Sequence, residues 1–200
     1  MNRMKSRNWL AAVLSVVSLV SAQAQTAPDA LVKTVATDVT AVLKSDPAVL
    51  GNPAKLKDLI ESKLVPNFNF ARMTQLAMGR NWAKASPEQQ TALTNEFRTL
   101  LVRTYSGALA SFRNNTIDYR PLRMQPGEND VTVKTVVNQA NGQGIPIDYS
   151  LEKSADGSWK AYDVIVAGVS LVTNYREEFN TVIRDQGVDA LIKQLQGKSK

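Results

Sequence analysis

The stretch "GIPIDYSLEKSADGSWKAYDVIVAG", residues 144–168, decides the fold. In its first arm Ile145, Ile147, Tyr149 and Leu151 share one face, and Pro146, Asp148, Ser150 and Glu152 share the other. A period of two with one apolar face marks a half-buried strand. The second arm, "SWKAYDVIVAG", is apolar along most of its length, and Asp156-Gly157 between the arms suits a hairpin turn because both residues tolerate positive φ. Strands joined so tightly must pair antiparallel. One face is wet and the other is covered.

Working toward the N terminus, "IDYRPLRM" and "DVTVKTVVNQ" repeat the period of two, with "QPGEN" and "ANGQ" as the turns. About four strands therefore form a meander over about 117–167. Beyond Gly168 the period becomes helical: Val172, Tyr175, Phe179 and Ile183 share a stripe, Gly187 breaks it, and Val188, Leu191, Ile192 and Leu195 share another. The first half is helical as well. Leu31, Val35, Val39 and Val42 recur before Pro47, Leu56, Leu59, Ile60 and Leu64 before Pro66, and Phe70, Met73 and Ala77 before Gly79. Ser86, Pro87 and Gln89 then make the best-marked helix start in the chain, a cap, a first-turn proline and a reciprocal capping partner. The apolar face that follows, through Leu93, Phe97, Leu100, Leu101, Tyr105, Ala108 and Phe112, predicts a helix of about 25 residues. This order predicts an α+β domain, a curved antiparallel sheet covered on one face by helices, with a helical subdomain at about 45–95.

Residues 1–24 stand outside this domain. A basic start, the apolar run "NWLAAVLSVVSLV" and small residues at Ala22 and Ala24 predict a cleaved secretory signal. The run falls short of the ~20 residues of a membrane span. Residues 25–200 then form a single domain. Removing Arg3, Lys5 and Arg7 lowers the basic count from 24 to 21 against 18 acidic residues, so +6 becomes +3. That charge is too mild to argue for nucleic acid.

Cysteine and histidine are both absent. No disulfide holds the fold, and the Ser/His and Cys/His nucleophile pairs and His-bearing zinc sites are excluded. No metal site is expected. Asp163, between Tyr162 and Val164 in an apolar strand, is the candidate general base, with Tyr149 or Tyr162 as its partner. Its structural alternative is an Asp bonded to backbone or to an Arg. "VSLVTNYREEF", residues 169–179, pairs an apolar start with Asn174, Tyr175 and Arg176, and its apolar half faces either the core or a guest.

The tail "GSWKAYDVIVAGVSLVTNYREEF" with "GVDALIKQL", and the segment "VPNFNFARMTQLAMGRNWAKASPEQQTALTNEFRTLLVRTYSGAL", resemble the MlaC or toluene-tolerance family. The resemblance implies a nuclear-transport-factor-like sheet with packed helices and a periplasmic phospholipid carrier without catalysis. It implies phospholipid as cargo and no cofactor. The implied partners are an outer-membrane lipoprotein complex and an inner-membrane ABC transporter complex with a membrane-anchored ring protein. The competing readings are a small-substrate enzyme on the same cone-shaped fold, or a periplasmic chaperone for apolar segments.

On this reading the acyl chains lie between sheet and helices. The expected wall is Phe70, Met73 and Leu76 from the third helix, Leu101, Tyr105 and Leu109 from the long one, and Ile147, Tyr149 and Leu151 from the sheet. Val169, Leu171, Val172 and Tyr175 complete it. In the last strand Tyr162, Val164 and Val166 compete with Trp159, Ala161 and Ile165 for the inner face, and Val164 and Val166 are chosen. Asn174 and Arg176 are expected to anchor their helix against the sheet. With no glycine-rich nest or paired-Arg motif beside the apolar stretches, the tails are expected to be buried and the head group to stay largely in water.

Overall fold

The computed structural model describes residues 26–139 and 142–198. The predicted signal at 1–24 lies outside the described residues, as do Ala140 and Asn141 of the "ANGQ" turn.

The chain opens with α1 (Pro28–Ser45), whose first position is a proline preset for helical φ. A 3-10 turn at Pro47–Gly51 leads to α2 (Pro53–Leu59), where the Asn52 side chain accepts the Ala54 and Lys55 N–H groups. α2 then loosens into a π turn over Ile60–Leu64 and tightens into a 3-10 turn over Val65–Asn67. After α3 (Phe70–Met78), Gly79 takes φ 54°, a conformation that favours glycine, and a 3-10 turn follows to Lys84. α4 (Pro87–Ser106) carries the predicted capping box, with Gln89 N–H donating to Ser86 Oγ at 3.2 Å and Ser86 N–H to Gln89 Oε1 at 3.0 Å. The long helix is shorter than the apolar stripe predicts. It breaks at Gly107, and α5 (Leu109–Phe112) starts after one bonded turn.

The sheet has the order β1-β2-β3-β4-β5, antiparallel throughout. Its strands are β1 (Thr116–Tyr119), β2 (Asp130–Asn138), β3 (Ile145–Lys153), β4 (Trp159–Val166) and β5 (Val169–Ser170). The sheet thus has five strands where the sequence predicts about four, because the two residues before the last helices add to the β4 edge. β1 is half as long as expected. Arg120 N–H still bonds Lys134 C=O, but Pro121 has no N–H to continue the ladder. At the β2–β3 turn a Cβ on Gly144 would collide with the Val136 side chain, so the second glycine of "GQG" serves close strand approach. α6 (Leu171–Gln186) and α7 (Val188–Lys198) complete the chain, separated by Gly187 at φ 85°.

Three apolar clusters hold these elements. The largest joins α3, α4, α6 and α7, where Phe97 meets Tyr175 at 5.0 Å and Phe179 at 5.1 Å between ring centroids, both edge to face. The second packs the C-terminal half of α1 against α2 and Leu109. The third covers Val131, Val133, Leu151, Trp159 and Ala161 of the sheet with Leu31 and Val32 of α1. α1 therefore bridges sheet and helices.

Between Ser150 and Leu151 the register of β3 against β4 slips: Ser150 faces Asp163 while Leu151 faces Ala161. Tyr162 is the extra residue, a bulge that reverses the facing of everything after it. Trp159 and Ala161 point inward before it, and Val164 and Val166 point inward after it. The two readings that compete for this strand in the sequence are each right for one half of it.

Candidate binding cavity

Where the three clusters part, a cavity of about 270 Å³ remains, bounded by α1, the π turn, the ends of α3 and α4, and the inner face of β3 and β4. That lies near the low end of the ~300–1,000 Å³ typical of ligand pockets. Among its lining residues only Asn67, Tyr105, Ser106 and Tyr149 carry a side-chain oxygen or nitrogen. Such a wall favours hydrocarbon and penalises any unpaired polar group. Among the described residues no cluster of carboxylates could hold a metal ion.

Phe70, Met73, Leu101, Tyr105, Leu109, Ile147, Tyr149, Leu151, Val164, Val166 and Leu171 line this space. Leu76, Val169, Val172 and Tyr175 do not. Leu76 packs against the helical core, one turn past Met73. Val172 and Tyr175 are buried inside that core, where Tyr175 is held by Phe97 and Phe179. Val169 points into solvent with 59% of its surface exposed. The "VSLV" stretch therefore divides: Val169 meets water, Leu171 the cavity and Val172 the core.

The sequence reading misses α1 entirely as a wall. Leu31, Val35 and Val39, at helical spacing, with Val32 and Ala36 beside them, form one side of the cavity, and Ile60, Leu64 and Val65 extend it. Their stripe is visible in the sequence, but a stripe states only that a face is buried, not what it meets.

Asp163 is committed elsewhere. Its Oδ1 accepts N–H from Val164 at 2.8 Å and from Val172 at 3.1 Å, and its Oδ2 accepts the Ser170 hydroxyl at 2.5 Å. Ser170 Oγ in turn accepts the Thr173 N–H at 3.0 Å. The bulge turns this carboxylate away from the cavity and onto the first turn of α6, where a negative charge also meets the helix dipole. Backbone bonding, the structural alternative for Asp163, accounts for Oδ1, while Oδ2 is taken by a serine hydroxyl and not by an Arg. Arg176 anchors helix to helix, its Nε donating to Leu76 C=O at 2.8 Å, so it holds α6 to the end of α3 and not to the sheet as expected. Asn174 is exposed.

The wall tyrosines feel the low polarity. Burial pushes the Tyr149 phenol up to about 12, helped by neighbouring Tyr119. Tyr105 is also pushed to about 12, by burial first and then by Tyr175. A phenol whose folded value exceeds its unfolded value of 10.0 contributes stability that is intact below pH 10 and is lost as pH rises toward 12. Unfolding followed by tyrosinate absorbance is expected to show stability declining across that window, and Tyr149→Phe is expected to reduce the decline. An equally steep decline in Tyr149→Phe would contradict this assignment.

Comparison with known proteins agrees with this architecture. The family profile described as MlaC protein matches residues 33–197. The chain is 23% identical to the Intermembrane phospholipid transport system binding protein MlaC of Haemophilus influenzae, over 98% of this chain and 95% of that protein. It is 28% identical to a toluene tolerance protein of Pseudomonas putida, over 92% and 85%. It also superimposes on a phospholipid-binding protein of Ralstonia solanacearum, solved in complex with a phospholipid, with a TM-score of 0.80 and 42% identity, over 88% of this chain and 97% of that one. Family profile, full-length relatives and shared fold agree with the motifs in the sequence: the chain belongs to the MlaC family.

Proposed function

We propose that this chain is a periplasmic phospholipid carrier that buries acyl chains in the cavity between α1 and the sheet and performs no reaction on them. It would pass lipid between an outer-membrane lipoprotein complex and an inner-membrane ABC transporter complex with a membrane-anchored ring protein. The observation that carries the reading is the apolar cavity itself, in a chain 42% identical to a protein solved with a phospholipid. Each buried methylene contributes about 0.8 kcal/mol, so a tail of about sixteen carbons represents on the order of 12 kcal/mol before ordering costs. No charged clamp is required to retain it. No described helix is long and apolar enough to cross a membrane.

The test is extraction of lipid from the mature protein purified without detergent, followed by mass spectrometry. Phospholipid in an amount comparable to the protein is the expected result. Protein recovered empty from a membrane-rich lysate would contradict the reading.

A further inference from the structure

A second, polar cleft adjoins the cavity across a shared wall. Val65, Phe68 and Phe70 belong to the walls of both, and beyond them the cleft carries Arg98 of α4 and Lys160 of β4. Among the described residues no carboxylate lines it. Two cations that look like unrelated surface charges in sequence are thus brought by the fold into one cleft beside the wall of an apolar cavity.

Neither cation has spent its hydrogen bonds. Arg98 meets Glu61 through Nη2 and lies over the Phe70 ring, 6.0 Å from its centroid, while its buried Nε has no hydrogen-bond partner among the described residues. Lys160 donates to Pro66 C=O at 2.5 Å, leaving two of the three donors of an ammonium. Native structures rarely leave a buried donor unmatched, so the guanidinium calls for an acceptor. A compact anion with several oxygens fits a planar fork beside an ammonium.

We propose that this cleft is a phosphate subsite: the phosphodiester of the same lipid whose tails fill the cavity binds between Arg98 and Lys160, with Phe68 and Phe70 separating head from tails. The proposal rests on the carrier reading above. It revises, for the phosphate alone, the sequence expectation that the head group stays largely in water, while whatever lies beyond the phosphate still faces water. Glu61 is the competing carboxylate, which holds Arg98 when no phosphate is there.

The test uses the full mature chain, stripped of lipid, and compares phosphatidylglycerol with diacylglycerol of identical tails. The wild type is expected to prefer the phospholipid by about tenfold or more, about 1.4 kcal/mol. The double variant Arg98→Gln, Lys160→Gln is expected to lose that preference while binding diacylglycerol as before. Arg98→Lys, which keeps the charge but not the fork, should retain only part of the preference, and Glu61→Gln should tighten phospholipid binding alone. Loading with phosphatidylglycerol should shift the Arg98 Nε–H resonance in a nitrogen-proton NMR spectrum, whereas millimolar inorganic phosphate should leave it in place. An equal shift with inorganic phosphate would reassign the cleft to a free anion and overturn the proposal. So would a wild type that binds both lipids equally, or a double variant that loses both equally. A wild type that binds neither lipid would overturn the carrier reading and this proposal together.

Discussion

Ala36→Trp is expected to empty the cavity while leaving the protein folded. Ala36 lines the cavity from α1, the element that bridges the sheet and the helices. An indole there occupies space that a tail would fill. If it displaces about four methylenes at about 0.8 kcal/mol each, binding weakens by about 3 kcal/mol, more than a hundredfold. The lipid-free protein should not lose stability, because the indole gains contacts with side chains that face open space. Val172→Trp makes the opposite control. Sequence pattern places Val172 at the cavity, but the structure closes it inside the helical core at 3% exposure, where overpacking costs about 1–3 kcal/mol. The two variants should therefore separate, one losing lipid at an unchanged or raised thermal midpoint and the other losing stability. Unchanged lipid affinity in Ala36→Trp would show that α1 is not a wall of the lipid site.

Asp163→Ala is expected to lower stability by about 3–5 kcal/mol. The carboxylate accepts two N–H groups and one hydroxyl, and hydrogen bonds to charged groups contribute about 1.5–3 kcal/mol each. The helix dipole adds a fraction of that, and the bonds are not additive because they share one side chain. Against a total of about 5–15 kcal/mol this leaves a marginal protein. Asp163→Asn keeps one acceptor oxygen and should lose about half as much. Chemical denaturation of both variants gives the comparison. Loss of lipid binding in proportion to stability identifies Asp163 as a fastener of α6, whereas full stability with altered chemistry on a small substrate would revive the general base.

The elements were legible because the local rules agree with the fold. The box of Ser86 and Gln89, the glycine stop at Gly187 and the alternation of β3 each state their own structure. The inner face of β4 was not legible, since a bulge inserts one residue and no local signal marks Tyr162 as the extra one. Its effect is large: it gives the cavity Val164 and gives the start of α6 Asp163. Burial alone also cannot separate a filled core from a hollow one. Leu171 and Val172 are adjacent apolar residues on one helix, yet the first lines the cavity and the second is sealed. The wall from α1 and the pairing of Arg98 with Lys160 depend on contacts between distant segments, which periodicity does not encode.

The central claim is that acyl chains lie between α1 and strands β3 and β4. Loading the protein with a phospholipid whose acyl chain carries a photoactivatable diazirine, then mapping the crosslinks by mass spectrometry, tests it most directly. Labels should fall on residues such as Val35, Ala36, Tyr149 and Val164, which line the cavity. Labels confined to exposed Val169 or to the outer sheet face at Lys134 and Asp148, with α1 unmarked, would contradict it.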